Sequence, residues 1–279
     1  MMQKLDKNIG NPKGLTENRS KILFILPTLG ERPELVEKAL FSVASQQPYK
    51  PDIYIVTPSN DPSVLKLAKN YNATIVKDPG GGISAAVNTG IKNAKSHHEF
   101  VGWMGDDDLL RPDSLATTIE ALERNGKAVL AYGYCDYIDE NDNLIFKSRA
   151  GSLAPWLMTW GPNLVPLPGI LFRIKEINEA GGFSEELKYS MDLDILIRLR
   201  RVGKLVNTKK TLAAFRWHPN STTVDNRQKS LLEAQFVKRK YMNRLTRMMA
   251  PSWEWLVILG TKYAAKKVNR ATNKKPYIK

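Results

Sequence analysis

The chain has 279 residues, 42% hydrophobic and 9% aromatic, enough to bury a substantial core and to exclude an intrinsically disordered protein. One cysteine, Cys135, excludes an internal disulfide framework, and no apolar run approaches the ~20 residues of a membrane-spanning helix. The net charge of +14 is gathered at one end, because residues 227–279 hold 14 Lys and Arg against only Glu233 and Glu254.

Met1–Ser20 is polar and rich in Asn, Lys and Gly, so residues 1–20 read as a loose tail without the marks of a signal peptide. A cytoplasmic protein is the expectation, in which the sequons Asn72-Ala-Thr74 and Asn220-Ser-Thr222 are chance matches. Lys21–Leu26 reads as a buried strand ending at Pro27-Thr28. Pro33–Ser45 places Leu35, Val36, Ala39, Leu40 and Val43 at amphipathic helical spacing. Asp52–Thr57 is a second strand, Ser63–Tyr71 a helix and Ala73–Lys77 a third strand. Gly80-Gly-Gly82 then precedes a helix reaching about Ala94. The run could bring backbone N–H groups close to a phosphate, but it lacks both P-loop and GxGxxG spacing, and a flexible turn is the plainer reading. Strands alternating with helices at this rhythm imply an α/β protein with a doubly wound, mostly parallel sheet flanked by helices.

The fourth strand, from Phe100 to Met104, ends in Gly105 and three acids, Asp106, Asp107 and Asp108. Adjacent carboxylates at the edge of a core repel unless a cation offsets them, and oxygen ligands suit Mg2+ or Mn2+. A solvated acidic turn that caps the next helix at Asp113 is the plainer alternative. Pro27, Thr28, Thr57 and the acids all fall at carboxyl ends of strands, where such sheets bind ligands.

The second half is less regular. Ala128–Tyr137 and Leu144–Lys147 form an expected hairpin, and Cys135 falls in its apolar run as a core residue. Trp156 and Trp160 lie one helical turn apart in a Trp-, Pro- and Gly-rich stretch, where they could wall a sugar-sized pocket or pack in the core. Asp192 and Asp194 open a helix running to about Val202. Capping explains one of them, and the other is a candidate general base. Leu212–Trp217 is a short strand leading to His218.

Several of these segments together resemble the family 2 glycosyltransferases, over about Lys21 to Thr223. Pro27-Thr-Leu-Gly-Glu-Arg-Pro33 is similar to that family's opening strand and loop, and Ser42-Val-Ala-Ser-Gln46 to its first helix. Gly82-Ile-Ser-Ala-Ala-Val-Asn-Thr-Gly-Ile91 resembles the segment before its metal motif, Asp106-Asp-Asp108 its DXD-type motif, and Gly182-Phe183 with Met191-Asp-Leu-Asp194 the segment bearing its base. Arg216-Trp-His218 resembles a late motif whose histidine can face the metal or diphosphate. The resemblance implies a GT-A fold over residues 21–226, Rossmann-like, with 227–279 as a basic helical extension. It implies donor nucleotide-sugar contacts from Pro27, Thr28, Arg32, Thr57, Asn88, Asp106 and Asp107. It also implies a divalent metal (Mn2+ or Mg2+) on Asp107, Asp108 and His218, and Asp192 as catalytic base. Thr57-Pro58 stands where the family usually has an aspartate, Gly105 where the first motif acid falls if Pro112 fixes the register, and Met191 where a glutamate is frequent.

The implied reaction is inverting transfer from a nucleotide-diphosphate sugar to a saccharide or lipid-linked acceptor. A sugar-phosphate nucleotidyltransferase would share an acidic nucleotide site. The basic residues 227–279 could meet an anionic membrane surface, whereas a nucleic-acid partner is disfavoured by charge confined to one end without a recognition motif.

Overall fold

The computed structural model describes residues 20–58, 60–217 and 227–273, so the expected tail over 1–20 and His218 fall outside the described residues, Ser20 excepted. The first half alternates strand and helix: β1 (Ile22–Pro27), α1 (Pro33–Ala44), β2 (Asp52–Thr57), α2 (Pro62–Asn70), β3 (Thr74–Lys77), α3 (Ile83–Lys92) and β4 (Phe100–Trp103). Next come β5 (Leu109–Leu110), α4 (Ser114–Glu123), β6 (Ala128–Ile138), β7 (Leu144–Ser148), α5 (Ala154–Leu157), β8 (Leu171–Arg173) and α6 (Ile174–Glu179). The chain continues through α7 (Met191–Val202), β9 (Lys204–Arg216), α8 (Arg227–Tyr241), α9 (Arg244–Met249) and α10 (Pro251–Asn273).

The strands form one sheet in the order β3-β2-β1-β4-β8-β6-β9-β5, with β7 on β6. Pairing is parallel from β3 through β4 and between β6 and β9, and antiparallel where β8, β7 and β5 join. Strand β1 shows why helices cover both faces: Leu23 and Ile25 pack with α3 and α7 residues, whereas Ile22, Phe24 and Leu26 pack with α1, α2 and α4. Successive side chains of a strand point to opposite faces, so a continuous apolar run needs cover twice. Because β1, β2 and β4 are parallel, their carboxyl ends share one edge, and the loops after Pro27, Thr57 and Trp103 converge there.

The expected strands and helices of the first half agree with the structure to within a residue or two at most boundaries. Asp113 differs: it adopts a left-handed conformation (φ 60°), and its side chain makes no cap bond to α4. Strand β9 begins at Lys204, well before the expected Leu212. Its early part carries Lys209 in a left-handed conformation. The Lys210 carbonyl there lies 2.4 Å from where a Cβ on Gly133 would sit, so a glycine in β6 admits the irregular partner.

The C-terminal helices are packed onto this sheet domain. Glu233 of α8 accepts the backbone N–H groups of Lys188, Tyr189 and Ser190 (3.1, 2.7 and 2.7 Å), placing a carboxylate at the N-terminus of α7. Tyr241 donates its hydroxyl to Asp194 (2.7 Å). Asp194 is buried and paired to Arg198 at 2.6 Å, whose guanidinium also donates to the carbonyls of Ala180 and Gly182. One carboxylate thus joins α7, α8 and the loop before α7. Asp194→Ala should cost about 3–5 kcal/mol, since it leaves a guanidinium without its buried partner; urea unfolding of the full chain measures this.

Candidate active site

The turn after β4 concentrates negative charge where the core meets solvent. Asp106 accepts the Thr28 hydroxyl at 2.6 Å, and Arg32 spans Asp106 (3.3 Å) and Asp107 (3.0 Å). Asp108 is buried, and its Oδ1 accepts the backbone N–H of Arg216 at 3.0 Å. Burial pushes the Asp108 carboxyl well above its ordinary value, and the Asp107 charge adds to the rise. Asp106 is raised as well, mainly by burial. Gly105 sits beneath these groups: a Cβ there would lie 3.0 Å from Asp107 Oδ1 and 3.4 Å from Asp108 Oδ2. The residue standing in for the first motif acid therefore leaves space where two carboxylates converge. Two carboxylates face one point there, and hard oxygen donors of this kind suit a divalent cation, although among the described residues only Asp52, His97 and His98 bring three ligand atoms within 4.8 Å of one another.

Arg216 is the counterweight. Fully buried at the end of β9, it donates Nε to the Asp107 carbonyl (2.9 Å), Nη1 to the carbonyls of Asp139 (2.8 Å) and Glu140 (3.3 Å), and Nη2 to Asp142 (2.5 Å). Sequence reasoning quoted Arg216 only as part of a motif. Its burial beside the acids depends on β5 pairing with β9, a two-residue strand too short to leave a periodic signal.

Asp192 lies in the first turn of α7, half-buried, with Oδ2 accepting from Asn163 Nδ2 at 3.1 Å. Burial raises its carboxyl to about 6, against the lowering effect of the Leu193 and Asp192 N–H groups and of Asn163. Burial foremost, then the Cys135 thiol and the Asp108 and Asp192 carboxylates, push the Tyr137 hydroxyl far above its ordinary value. That phenol is within electrostatic reach of both the acidic turn and Asp192. Tyr137 also stacks on Phe146 (4.2 Å between centroids) and contacts Phe215 and Trp217, an aromatic group that single-sequence reading missed because its members come from three strands and a strand end.

The other expected residues have varied surroundings. The Thr28 N–H bonds the Val56 carbonyl and the Asp78 N–H bonds the Thr57 carbonyl, which keeps Pro27, Thr28 and Thr57 together at the strand ends. Asn88 exchanges both amide functions with the Phe183 backbone (2.8 Å each) and reaches Glu185 at 2.9 Å, so its side chain ties α3 to the Gly182-Phe183 loop. Gly182 has a φ of 69° and no space for a Cβ, which would meet Asn88 Oδ1 at 2.7 Å. Gly80, Gly81 and Gly82 all have positive φ (81°, 97° and 93°), a loop backbone that other residues rarely adopt. Trp156 is exposed, whereas Trp160 contacts Trp253 of α10 (5.9 Å). Cys135 is buried in the core.

Two features lie elsewhere. Asp52, His97 and His98 cluster at the amino ends of β2 and β4, across the sheet from the acids. His98 accepts the Lys95 N–H at Nδ1 (3.0 Å), so Nε2 carries the proton given to Asp52 (2.9 Å). Both ring nitrogens are thereby engaged, and burial lowers the pKa of the ring, so the trio forms a hydrogen-bonded clasp. A cleft of about 690 Å³ beside α3 and α7 is lined by Asn88, Glu185, Asp194 and Arg198, all already bonded to one another or to the adjoining loop.

The profile of the family described as Glycosyl transferase family 2 matches residues 23–178, more than half the chain, from the second residue of β1 through β8. The chain belongs to glycosyl transferase family 2. An uncharacterised glycosyltransferase of Rickettsia typhi is 26% identical over 241 residues, covering 81% of this chain and 71% of that protein. One of Rickettsia bellii is 25% identical over 190 residues, covering 63% and 27% respectively. The chondroitin synthase of Pasteurella multocida is 22% identical over 158 residues, covering 56% of this chain and 16% of the synthase. The chain thus spans about a quarter or less of the last two. Among solved structures, S. aureus TarS 1–349 in complex with UDP-GlcNAc has a TM-score of 0.61 at 13% identity, covering 82% of this chain and 70% of that one. Mannosyltransferase PcManGT from Pyrobaculum calidifontis in complex with GDP-Man and Mn2+ has a TM-score of 0.62 at 15% identity, covering 91% and 74%. These likenesses establish the GT-A fold, a mixed α/β sheet flanked by helices.

In this family 2 glycosyltransferase, Arg216→Met should strip the Asp107, Asp139 and Glu140 carbonyls and the Asp142 carboxylate of their buried donor, at a cost of about 3 kcal/mol or more. The thermal unfolding midpoint of the full chain reads this loss.

Proposed function

We propose that this chain is an inverting, metal-dependent glycosyltransferase. It moves a hexosyl or related sugar from a nucleotide-diphosphate donor to a saccharide or lipid-linked hydroxyl, in surface polysaccharide or glycolipid synthesis. Residues 21–226 are the catalytic domain and 227–279 an extension, and the enzyme works in the cytoplasm, peripheral to the membrane. The observation that carries the reading is the pairing of an acidic turn at the strand ends, spanned by Arg32, with a separate carboxylate, Asp192, in the first turn of α7 and bonded to Asn163.

Mn2+ or Mg2+, held by Asp107, Asp108 and His218, would supply charge for the departing diphosphate. Pro27, Thr28, Arg32, Thr57 and Asp106 bound the donor side; Arg32 already bridges two acids there. Asn88 acts at one remove, by fixing the loop before α7. Asp192 accepts the acceptor's hydroxyl proton while the oxygen bonds to the anomeric carbon and the bond to diphosphate breaks. The nucleoside diphosphate leaves with the electron pair, and no covalent sugar-enzyme intermediate forms. A carboxyl near 6 suits this role, being ionised at neutral pH yet more basic than an ordinary aspartate.

Asp192→Asn should lower turnover by ~10²–10⁴ while donor affinity holds, because the base faces the acceptor. Asp107→Ala should instead abolish the Mn2+-dependent thermal shift given by UDP, GDP or their sugars, with the apo protein still folded. Release of pyrophosphate in place of a nucleoside diphosphate would convert the assignment to a nucleotidyltransferase.

The pH dependence has a definite sign. A base with its carboxyl near 6 is lost as pH falls through that value, so turnover should fall about tenfold per unit below it and level off above. Asn163→Ala removes a donor that favours the ionised form, and should move that limb to higher pH. Asp192→Asn should flatten the limb, and an unmoved wild-type profile in both variants would exclude Asp192 as the base.

A further inference from the structure

We propose that helices α8–α10, with the adjoining loop that carries α5, form a docking face for an anionic lipid bilayer. Helices α8 and α10 bury one side and leave an apolar stripe on the other, and the short α9 between them buries none of its own residues. On α8, Leu232 and Phe236 are four apart and each 63% exposed, while Val237 and Lys238 between the turns are buried. On α9, Leu245 (67%) and Met248 (73%) are three apart and outward. On α10, Trp255, Leu259 and Tyr263 recur every four residues and are all more than half exposed, while Glu254 is buried. Spacing of three and four places such residues on one face of a helix. Large apolar groups exposed in stripes on three consecutive helices signal a partner surface.

The stripes belong to ordered, braced helices. Arg239 pairs through Nε with Glu254 at 2.9 Å, locking α8 to α10, and Glu233 and Tyr241 lock α8 to α7. The outward apolar groups are therefore not the residue of an unformed core.

Charge complementarity selects the occupant. Lys229, Lys240, Arg244 and Arg247 are exposed on the same helices, and residues 227–279 carry +12 in sequence. A protein groove would match the stripes and a nucleic acid would match the cations. An anionic bilayer takes both at once, the cations at the headgroups and the aromatic and aliphatic groups below them. No helix among the described residues is long and apolar enough to cross a membrane, so the contact is interfacial.

The face also leads to Asp192. Trp160 contacts Trp253 of α10, Lys238 of α8 donates to the Gly161 carbonyl, and Asn163, two residues on, holds Asp192. The same loop exposes Leu153 (71%) and Trp156 (55%). A lipid-linked acceptor would meet the base beside this face. Only that consequence rests on the proposed transfer; the bilayer contact stands without it.

Sedimentation of the full chain with vesicles tests the proposal. The arms are pure phosphatidylcholine and phosphatidylcholine with roughly one-third phosphatidylglycerol, at ~0.1 M and ~1 M salt, where the Debye length falls from ~10 to ~3 Å. We expect binding to the anionic vesicles alone, weakened by salt. Arg244→Gln with Arg247→Gln should weaken it about 25-fold, about fivefold per cation. Leu256→Gln with Leu259→Gln, both exposed, should cost about tenfold each without moving the unfolding midpoint. Equal binding of neutral vesicles, binding of a duplex oligonucleotide but no vesicle, or a concentration-dependent dimer that loses the stripes without vesicle binding would each overturn it. Because no sugar donor is present, a failed donor-binding assay and a failed sedimentation assay remain separate results.

Discussion

Burying a guanidinium is expensive, and the candidate site depends on its having been done at Arg216. Three adjacent carboxylates at the end of a core strand would repel one another and drive the turn into solvent. Arg216 holds it by donating to the Asp107 carbonyl, while its own backbone N–H bonds Asp108. Its remaining donors meet the carbonyls of Asp139 and Glu140 and the Asp142 carboxylate in the β6–β7 connection, and Lys38 of α1 adds a second cation to Asp142 at 2.5 Å. A buried ion costs least when every polar hydrogen finds an acceptor, and a planar fork of five donors can do that in one place. The acidic turn, the hairpin and the last strand are thus fixed to one another before any ligand arrives.

That bracing separates rigidity from charge. Arg216 faces mostly carbonyl oxygens, which leaves the turn strongly acidic, and Arg32, the cation that does span Asp106 and Asp107, is more than a third exposed on its side chain. A buried cation builds the turn, and a solvated one neutralises it from outside. Charge at the outer position is thus separate from the inner bracing, a division that the proposed metal-diphosphate site would use.

How much of this was legible in sequence follows from the range of each signal. The parallel half was readable because each strand is a continuous apolar run and each helix a periodic one, as Ile22–Pro27 and Pro33–Ala44 illustrate. Strands β5 and β8, of two and three residues, have no period to detect, and they form only because β9 and β4 offer edges. The acids and Thr28 were legible as residues at strand ends, Arg32 only through the family resemblance, and their mutual bonds follow from that common edge. Arg216, Asn163 and Tyr137 were not, because their significance is burial and company rather than residue type. Asp113 misled because an acid before a helix is usually a cap, and here the backbone turns left-handed instead.

Asp192 and Asp194 show how little separates the proposed base from a structural carboxylate. Two residues on a helix are about 200° apart, so the pair points to opposite sides of α7. Asp194 turns into the packing against α8, where it pairs with Arg198 and accepts the Tyr241 hydroxyl. Asp192 turns toward Asn163, where burial without a cation raises its carboxyl. Both environments are completed by the C-terminal helices: Tyr241 and Glu233 act on α7 directly, and Lys238 and Trp253 hold the loop that brings Asn163. The charge boundary near residue 226 therefore marks a change of surface chemistry, while the packing around Asp192 continues across it.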